Sequence, residues 1–282
     1  MSIEDKKIGF IGAGNMGEAI LAALIKTKLS QSNNLYITDI SKERIGFIKD
    51  TYSISALDDN SKLFLECDII ILAVKPQQMK VVLSEIQKTI NKIKNRKIVI
   101  SIAAGFTIKN IENILYSRID EITRSMLPVV RVMPNTPALV LAGISGMSAN
   151  RFACKEDVYL SKLILGSMGK VIEFEEEKLD AVTALSGSGP AYVFYLMESM
   201  IEAGIKLGFE PLDAALLTTE TLKGAVKLME EKGEPPWSLR AKVTSKGGTT
   251  EAAFKILEAY DVKQIIIDAV NAAHNRSKEL SK

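Results

Sequence analysis

Four short runs of Ile, Leu and Val, at residues 7–11, 35–38, 68–74 and 97–102, alternate with amphipathic stretches through the first third of the chain. A strand that is apolar at every position must be covered on both faces, and strands separated by helical segments are joined by crossovers. Together these demand a parallel sheet with helices on both sides. Right-handed crossovers leave few topologies, and a doubly wound sheet is the favoured one. Further strands are expected at 122–133, 143–148 and 170–174, with Pro134 and Pro137 breaking the chain after the first of them.

Beyond Phe174 the texture changes. Glu175, Glu176 and Glu177 form an acidic run that reads as a solvated helix start, where carboxylates complement the helix dipole. Helical periodicity then covers 178–186, 190–208, 211–232, 250–258 and 261–280, interrupted by Gly-Pro, Glu-Pro and Gly-Gly signals. A chain of 282 residues suits two cores better than one. The expected organisation is α/β: a doubly wound sheet over 1–174, followed by an all-α domain over 175–282.

Charge is nearly balanced, 36 basic against 34 acidic residues for a net +2, so neither nucleic acid nor an anionic membrane is called for as a partner. A small metabolite is the more natural ligand. Cys67 and Cys154 are far apart, and the opening Met-Ser-Ile-Glu-Asp-Lys-Lys lacks a signal-peptide pattern, which points to the cytoplasm. The apolar stretch 191–208 is long enough to cross a bilayer, but Glu198, Glu202 and Lys206 recur every fourth residue, so it reads as an amphipathic soluble helix. The single histidine, His274, stands among Asn271, Asn275 and Arg276; it reads as a solvated helix position, and no metal cluster can be assembled around it.

Gly12, Gly14 and Gly17 form a Gly-x-Gly-x-x-Gly pattern directly after the first strand and at the opening of a helix. Gly12 permits a tight turn, Gly14 lets a pyrophosphate approach the backbone, and Gly17 allows close packing of helix on strand. The phosphates then meet free N–H groups at the helix N-terminus. Asp39 ends the second strand, where a carboxylate favours a free ribose 2′-hydroxyl and hence NADH. Ser41, Lys42 and Arg44 follow at once and leave NADPH open. Ala73-Val74-Lys75-Pro76 and Ser101-Ile102-Ala103-Ala104-Gly105 close two more strands on the side where open sheets hold ligands, although ordinary strand-to-helix turns would look the same.

In the helical half, Ser245-Lys246-Gly247-Gly248-Thr249-Thr250-Glu251 precedes a helical pattern. Backbone donors and hydroxyls at a helix start make a carboxylate clamp, and a simple capped turn fits the residues equally. A second Gly-rich turn, Ser186-Gly187-Ser188-Gly189-Pro190, reads as close helix packing with Pro190 at a helix start. Hydride transfer to a ketone usually needs a positioned acid, commonly histidine, which disfavours a His-dependent hydroxy-acid dehydrogenase. An acid lysine on the interdomain helix is the other common solution, but from 186 to 208 the only lysine is Lys206, at the far end. Imine reduction demands less, because the ring nitrogen can be protonated before hydride arrives; Thr250, beside the clamp, suits the donor role.

Taken together, the segments 9–17, 73–76, 101–105, Arg131-Val132-Met133-Pro134-Asn135-Thr136-Pro137-Ala138, 185–192 and 245–250 resemble the pyrroline-5-carboxylate reductases, in the family's order and over nearly the whole chain. The resemblance implies a Rossmann-type domain with a helical dimerisation domain, and NAD(P)H-dependent reduction of 1-pyrroline-5-carboxylate to L-proline. It implies that Gly12, Ala13, Gly14, Asn15, Met16, Gly17, Asn60, Ala73, Val74, Lys75, Pro76, Ala103, Ala104 and Gly105 line the cofactor. Gly248, Thr249 and Thr250 are implied to hold the substrate carboxylate, with Thr250 reaching the ring nitrogen, and Asn135 to fix the active-site turn. Family members pair as homodimers, and some build rings of dimers. Lys246 stands where the family usually has proline. The alternatives are a β-hydroxyacid dehydrogenase-like reductase and a nucleotide-sensing protein without chemistry.

Overall fold

The computed structural model describes residues 3–281. They form an eight-stranded sheet in the order β3-β2-β1-β4-β5-β6-β7-β8. The strands are β1 (Ile8–Ile11), β2 (Leu35–Thr38), β3 (Ser55–Ala56), β4 (Ile69–Leu72), β5 (Ile98–Ser101), β6 (Val129–Met133), β7 (Gly143–Ala149) and β8 (Gly169–Glu173). All neighbours pair in parallel except β6 and β7, which are antiparallel with Val132 opposite Met147. The chain winds outward from β1 to β2 and β3, then restarts on the other side at β4. That reversal opens a crevice beyond the carboxyl ends of β1 and β4.

Strand period and burial explain why these segments must be strands. Ile8, Phe10, Ile69, Ile71, Ile98 and Ile100 point to one face and join a core with α1 (Asn15–Lys26), α2 (Lys42–Tyr52) and a later helix, Lys155–Gly166. Ile11, Ile70, Leu72 and Val99 point to the opposite face, against α3 (Asn60–Glu66), α4 (Pro76–Gln87) and α5 (Ile108–Leu115). Each such residue is buried almost completely, and each contributes roughly 1.5–3 kcal/mol relative to exposure. Gly9 belongs to the second face, where a Cβ would lie 2.4 Å from Leu63 Cδ2; α3 packs directly onto the bare backbone.

The strand expected over 122–133 is shorter. Glu121–Ser125 is a helix, α6, because Asp120 accepts the Thr123 N–H at 2.8 Å and caps it. Ile122 is 74% exposed there, so its apolar side chain carries no strand signal. The remaining helices are α7 (Lys155–Gly166), α8 (Leu179–Val182), α9 (Gly189–Lys206), α10 (Pro211–Lys232), α11 (Pro236–Lys242), α12 (Thr249–Ala259) and α13 (Val262–Leu280). Neither β3 nor α11 figures among the elements expected from the sequence.

Two compact units result: Met1–Ser188 together with Ala273–Lys282, and Gly189–Ala272. The two compact units divide at Ser188, and the chain end returns to the first unit. Buried charge accompanies both features. Glu176, expected to be solvated, instead accepts from buried Arg131 at 3.0 Å and from the Ile108 N–H at 2.7 Å. Asp180 lies 3.6 Å from the same guanidinium and accepts from Ser277 and Ser281 at 2.7 and 3.0 Å, which ties the end of α13 to α8. Gly187 packs so closely that a Cβ would lie 2.6 Å from Met133 Cε.

The second unit is a set of helices with its own punctuation. Pro211 and Pro236 each begin a helix, and Gly233, at φ +63°, ends α10. Within residues 189–272 only Ala214 and Thr218 are fully buried, whereas Phe194, Leu212 and Ile265 are more than half exposed. Among the described residues no helix is long and apolar enough to cross a membrane.

Two measurements check these assignments. Removing Arg131 as Arg131→Ala strands two carboxylates and should lower unfolding free energy by roughly 3–5 kcal/mol, whereas cutting the exposed Lys223–Glu220 pair should cost under about 1 kcal/mol; equal losses in denaturant titrations would refute the buried network. Burial pushes the Cys67 thiol up to about 12, whereas Cys154 is exposed, so a thiol reagent should label one cysteine in the native protein and two after unfolding.

Candidate functional site

Beyond β1 and β4 lies a cleft of about 1060 Å³. Its floor is the turn from β1 into α1. Gly12 adopts φ +96°, and a Cβ there would lie 2.8 Å from the Ala73 carbonyl. A Cβ on Gly17 would meet the Gly12 carbonyl oxygen at 2.8 Å. Both positions therefore exclude any side chain, for the turn and for the helix packing respectively. Gly14 differs: nothing lies within 4 Å of its missing Cβ, so that vector opens into empty space. Gly14 is also the N-cap of α1, which has no side-chain cap, and its first-turn N–H groups stay available to an anion.

Gly12, Gly14, Asp39, Asn60, Ala73, Val74 and Lys75 line this cleft. Ala13, Asn15, Met16 and Gly17 belong to the same turn and helix start, and Pro76 is the first residue of α4. Asn60 is held in place on both sides: Thr38 Oγ1 donates to its carbonyl and its amide donates to Glu85, each at 2.7 Å. Ala103, Ala104 and Gly105 follow β5 and do not line the cleft. Gly105, at φ +70°, is instead pressed against the end of α13, where a Cβ would come within 3.0 Å of the Leu280 carbonyl oxygen. Ile40, Asp58, Asp59, Gln77, Gln78 and Glu85 also line the cleft, and sequence reading passed over them. Their only signal is position: just after β2, at the starts of α3 and α4 or, for Glu85, in the last turn of α4.

The residues fit a dinucleotide. A bare glycine faces open space at an uncapped helix start, and a carboxylate stands at the end of β2, where a ribose would lie. Asp39 accepts from the Ala13 N–H at 2.7 Å and from the Ser41 N–H at 2.9 Å, so its two oxygens are oriented by backbone.

The second unit holds the loop 245–250. Gly247 has φ +75°, and a Cβ on Gly248 would lie 2.5 Å from Ser245 Oγ. Gly248 is the N-cap of α12 without a side-chain cap, and Thr249 and Thr250 are its first helical residues. Glu251 turns back to accept the Gly247 N–H at 2.6 Å, which shapes the loop from within. Asn135, in the first unit, accepts the Ile144 N–H at 3.0 Å and so fixes the turn between β6 and β7. Among the described residues no group of three His, Cys, Asp or Glu side chains is placed to hold a metal, and His274 lies part-exposed on α13.

Residues 176–280 match the family model for pyrroline-5-carboxylate reductase dimerisation, and residues 7–105 match that for NADP oxidoreductase, coenzyme F420-dependent. The chain is 40% identical to the pyrroline-5-carboxylate reductase of Corynebacterium melassecola over 275 residues, 98% of each chain. The chain belongs to the pyrroline-5-carboxylate reductase family. Solved family structures agree: that of Coxiella burnetii superposes with a TM-score of 0.87 at 38% identity, covering 98% of this chain and 99% of the other. The Plasmodium falciparum pyrroline carboxylate reductase with NADP bound gives the same TM-score at 32% identity and covers 99% of each chain.

The glycines separate two effects that a single substitution would mix. Gly14→Val should fold normally and lose cofactor affinity, whereas Gly12→Ala should lower the melting temperature through strain at positive φ. Calorimetric binding beside thermal unfolding checks the pair; retained affinity in Gly14→Val would contradict the cleft assignment.

Proposed function

We propose that this chain reduces the cyclic imine 1-pyrroline-5-carboxylate to L-proline at the expense of NADH or NADPH. The observation that carries the reading is the uncapped start of α12, where the N–H groups of Thr249, Thr250 and Glu251 have no side-chain cap and two hydroxyls stand beside them. Such a row suits a carboxylate, and full-length relatives named pyrroline-5-carboxylate reductase supply the substrate class.

On this reading Gly12 to Gly17 receive the pyrophosphate, Asp39 the adenosine ribose, and Asn60 and Ala73 to Pro76 the rest of the dinucleotide, with Ala103 to Gly105 supporting the nicotinamide side. When bound, the reduced nicotinamide supplies a hydride. Gly248, Thr249 and Thr250 hold the substrate carboxylate and fix the direction of the ring. Thr250 Oγ1 serves the ring nitrogen and completes the proton balance as the imine becomes an amine. Asn135 holds the β6–β7 turn, the role the family resemblance implies for it. Lys246 is exposed in the clamp loop, which lacks the stiffness a proline would give there.

The helical unit, with its exposed apolar side chains, pairs two copies into a homodimer. The enzyme works in the cytoplasm, consistent with two unpaired cysteines and a nearly neutral surface, and its other partner is a small metabolite rather than nucleic acid or membrane. A β-hydroxyacid dehydrogenase chemistry would need an acid lysine that α9 does not offer, since Lys206 is its last residue.

The direct test mixes purified protein, reduced cofactor and pyrroline-5-carboxylate and follows loss of nicotinamide absorbance; binding without turnover would favour a sensor. Thr250→Ala should lower kcat by about 10- to 1,000-fold, bracketing the lower worth of a positioned proton donor. Undiminished kcat would remove Thr250 from the reaction.

A further inference from the structure

We propose that Glu18 sets the coenzyme preference by holding Arg44 out of the cleft, so that this chain binds NADH more tightly than NADPH. The inference rests on the cleft as a dinucleotide site and needs nothing from the imine chemistry.

A 2′-phosphate beside Asp39 would bring about two negative charges and would require a cation. Arg44, in the first turn of α2, is the obvious source. Its guanidinium is engaged elsewhere: Nε donates to the Ala13 carbonyl at 2.6 Å, and Nη2 forms an ion pair with Glu18 on α1. The guanidinium also stacks over Phe47, 5.1 Å from the ring centre. Glu18 is itself clamped, because Tyr52 donates its hydroxyl to the other carboxylate oxygen at 2.8 Å. Burial and that hydrogen bond push the Tyr52 hydroxyl up to about 12, so it remains a donor throughout the working pH range. Arg44 and Glu18 side chains are only 26% and 22% exposed, and neither lines the cleft.

What does surround the ribose position is unfavourable to phosphate. Asp39, Asp58 and Asp59 all line the cleft, and Ile40, next to Asp39 and 88% exposed, offers aliphatic surface suited to a base. Lys62, the nearest cation in sequence to the two aspartates, pairs with Asp58 at 2.8 Å. Lysines do line the cleft, but Lys75 caps α4 at its start and Lys88 follows its end, both on the α4 side. Lys42 is exposed on the same turn as Arg44 and is the cation the proposal must beat. It would have to act against Asp39 without help from the guanidinium.

Because Glu18 acts through Arg44, it is a positioning residue, and the test must see more than loss of activity. Binding of NADH and NADPH, and of AMP and 2′,5′-ADP, is measured without substrate by calorimetry on wild type, Glu18→Gln, Arg44→Gln and the double variant. Wild type should favour the member of each pair that lacks the 2′-phosphate by about tenfold or more, the worth of one charge-assisted contact. Glu18→Gln frees the guanidinium and should raise NADPH affinity relative to NADH by a similar factor, with Glu18→Asp restoring the wild-type ratio. Arg44→Gln alone should leave the ratio unchanged, and in the double variant the gain should vanish. Tighter wild-type binding of NADPH, a selective loss of NADPH in Arg44→Gln, or equal changes for both coenzymes in Glu18→Gln would each overturn the proposal. Should Glu18→Gln not fold, tighter wild-type binding of NADPH or a selective loss of NADPH in Arg44→Gln would still overturn the proposal. Failure of imine turnover with an intact NADH preference would strike the proposed reaction and leave this inference standing.

Discussion

Everything at the cleft depends on how closely α1 approaches the ends of β1 and β4. The Gly12 N–H donates to Thr38 O and the Ala73 N–H donates to Ile11 O, each at 2.8 Å, so three strand ends are locked together by backbone alone. Two missing side chains, at Gly12 and Gly17, then let the helix start sit against that junction. Any Cβ there would push the helix N-terminus off the crevice, and the dipole and free N–H groups would no longer face it. The third glycine, Gly14, is unconstrained by the protein itself, which is why its bareness points to a ligand rather than to packing.

The same junction recruits the charged residues around it. Ala13 donates its N–H to Asp39 and accepts from Arg44 through its carbonyl, so one residue positions both the acidic and the basic side chain. Glu18 and Tyr52 complete the arrangement from α1 and the end of α2. A charge on a side chain thus becomes a property of a network, and its availability to a ligand is set by which partners it already has. The guanidinium of Arg131 illustrates the opposite outcome: it is wholly structural, buried between Glu176 and Asp180 to join the sheet, α8 and the returning chain end.

Where apolar residues fill every position of a strand, the sequence was easily read: β1, β2, β4 and β5 lie within the runs of Ile, Leu and Val, because covering both faces leaves no other pattern. The segment before β6 misled because Ile122 is apolar yet exposed, and a capping Asp120 outweighs one side chain's hydrophobicity. The two-residue β3 has too few positions to show any period. In the site, glycines and the end-of-strand Asp39 were legible since each answers a backbone requirement at a fixed spacing. Ile40, Gln77, Gln78 and Glu85 were not, since nothing about their spacing distinguishes them from surface residues.

The sequence alone determined the alternation of strands and helices, the glycine turn that opens α1, and the hydroxyl-bearing start of α12, because local spacing suffices to specify period, tight turns and helix ends. Only the tertiary structure decided that Arg44 is sequestered by Glu18, that Glu176 neutralises a buried guanidinium, and that residues 273–282 return to the first unit. Those outcomes pair groups from 26 to 101 positions apart. A side chain's charge is written in the chain, but the partner that spends or frees it is chosen by packing.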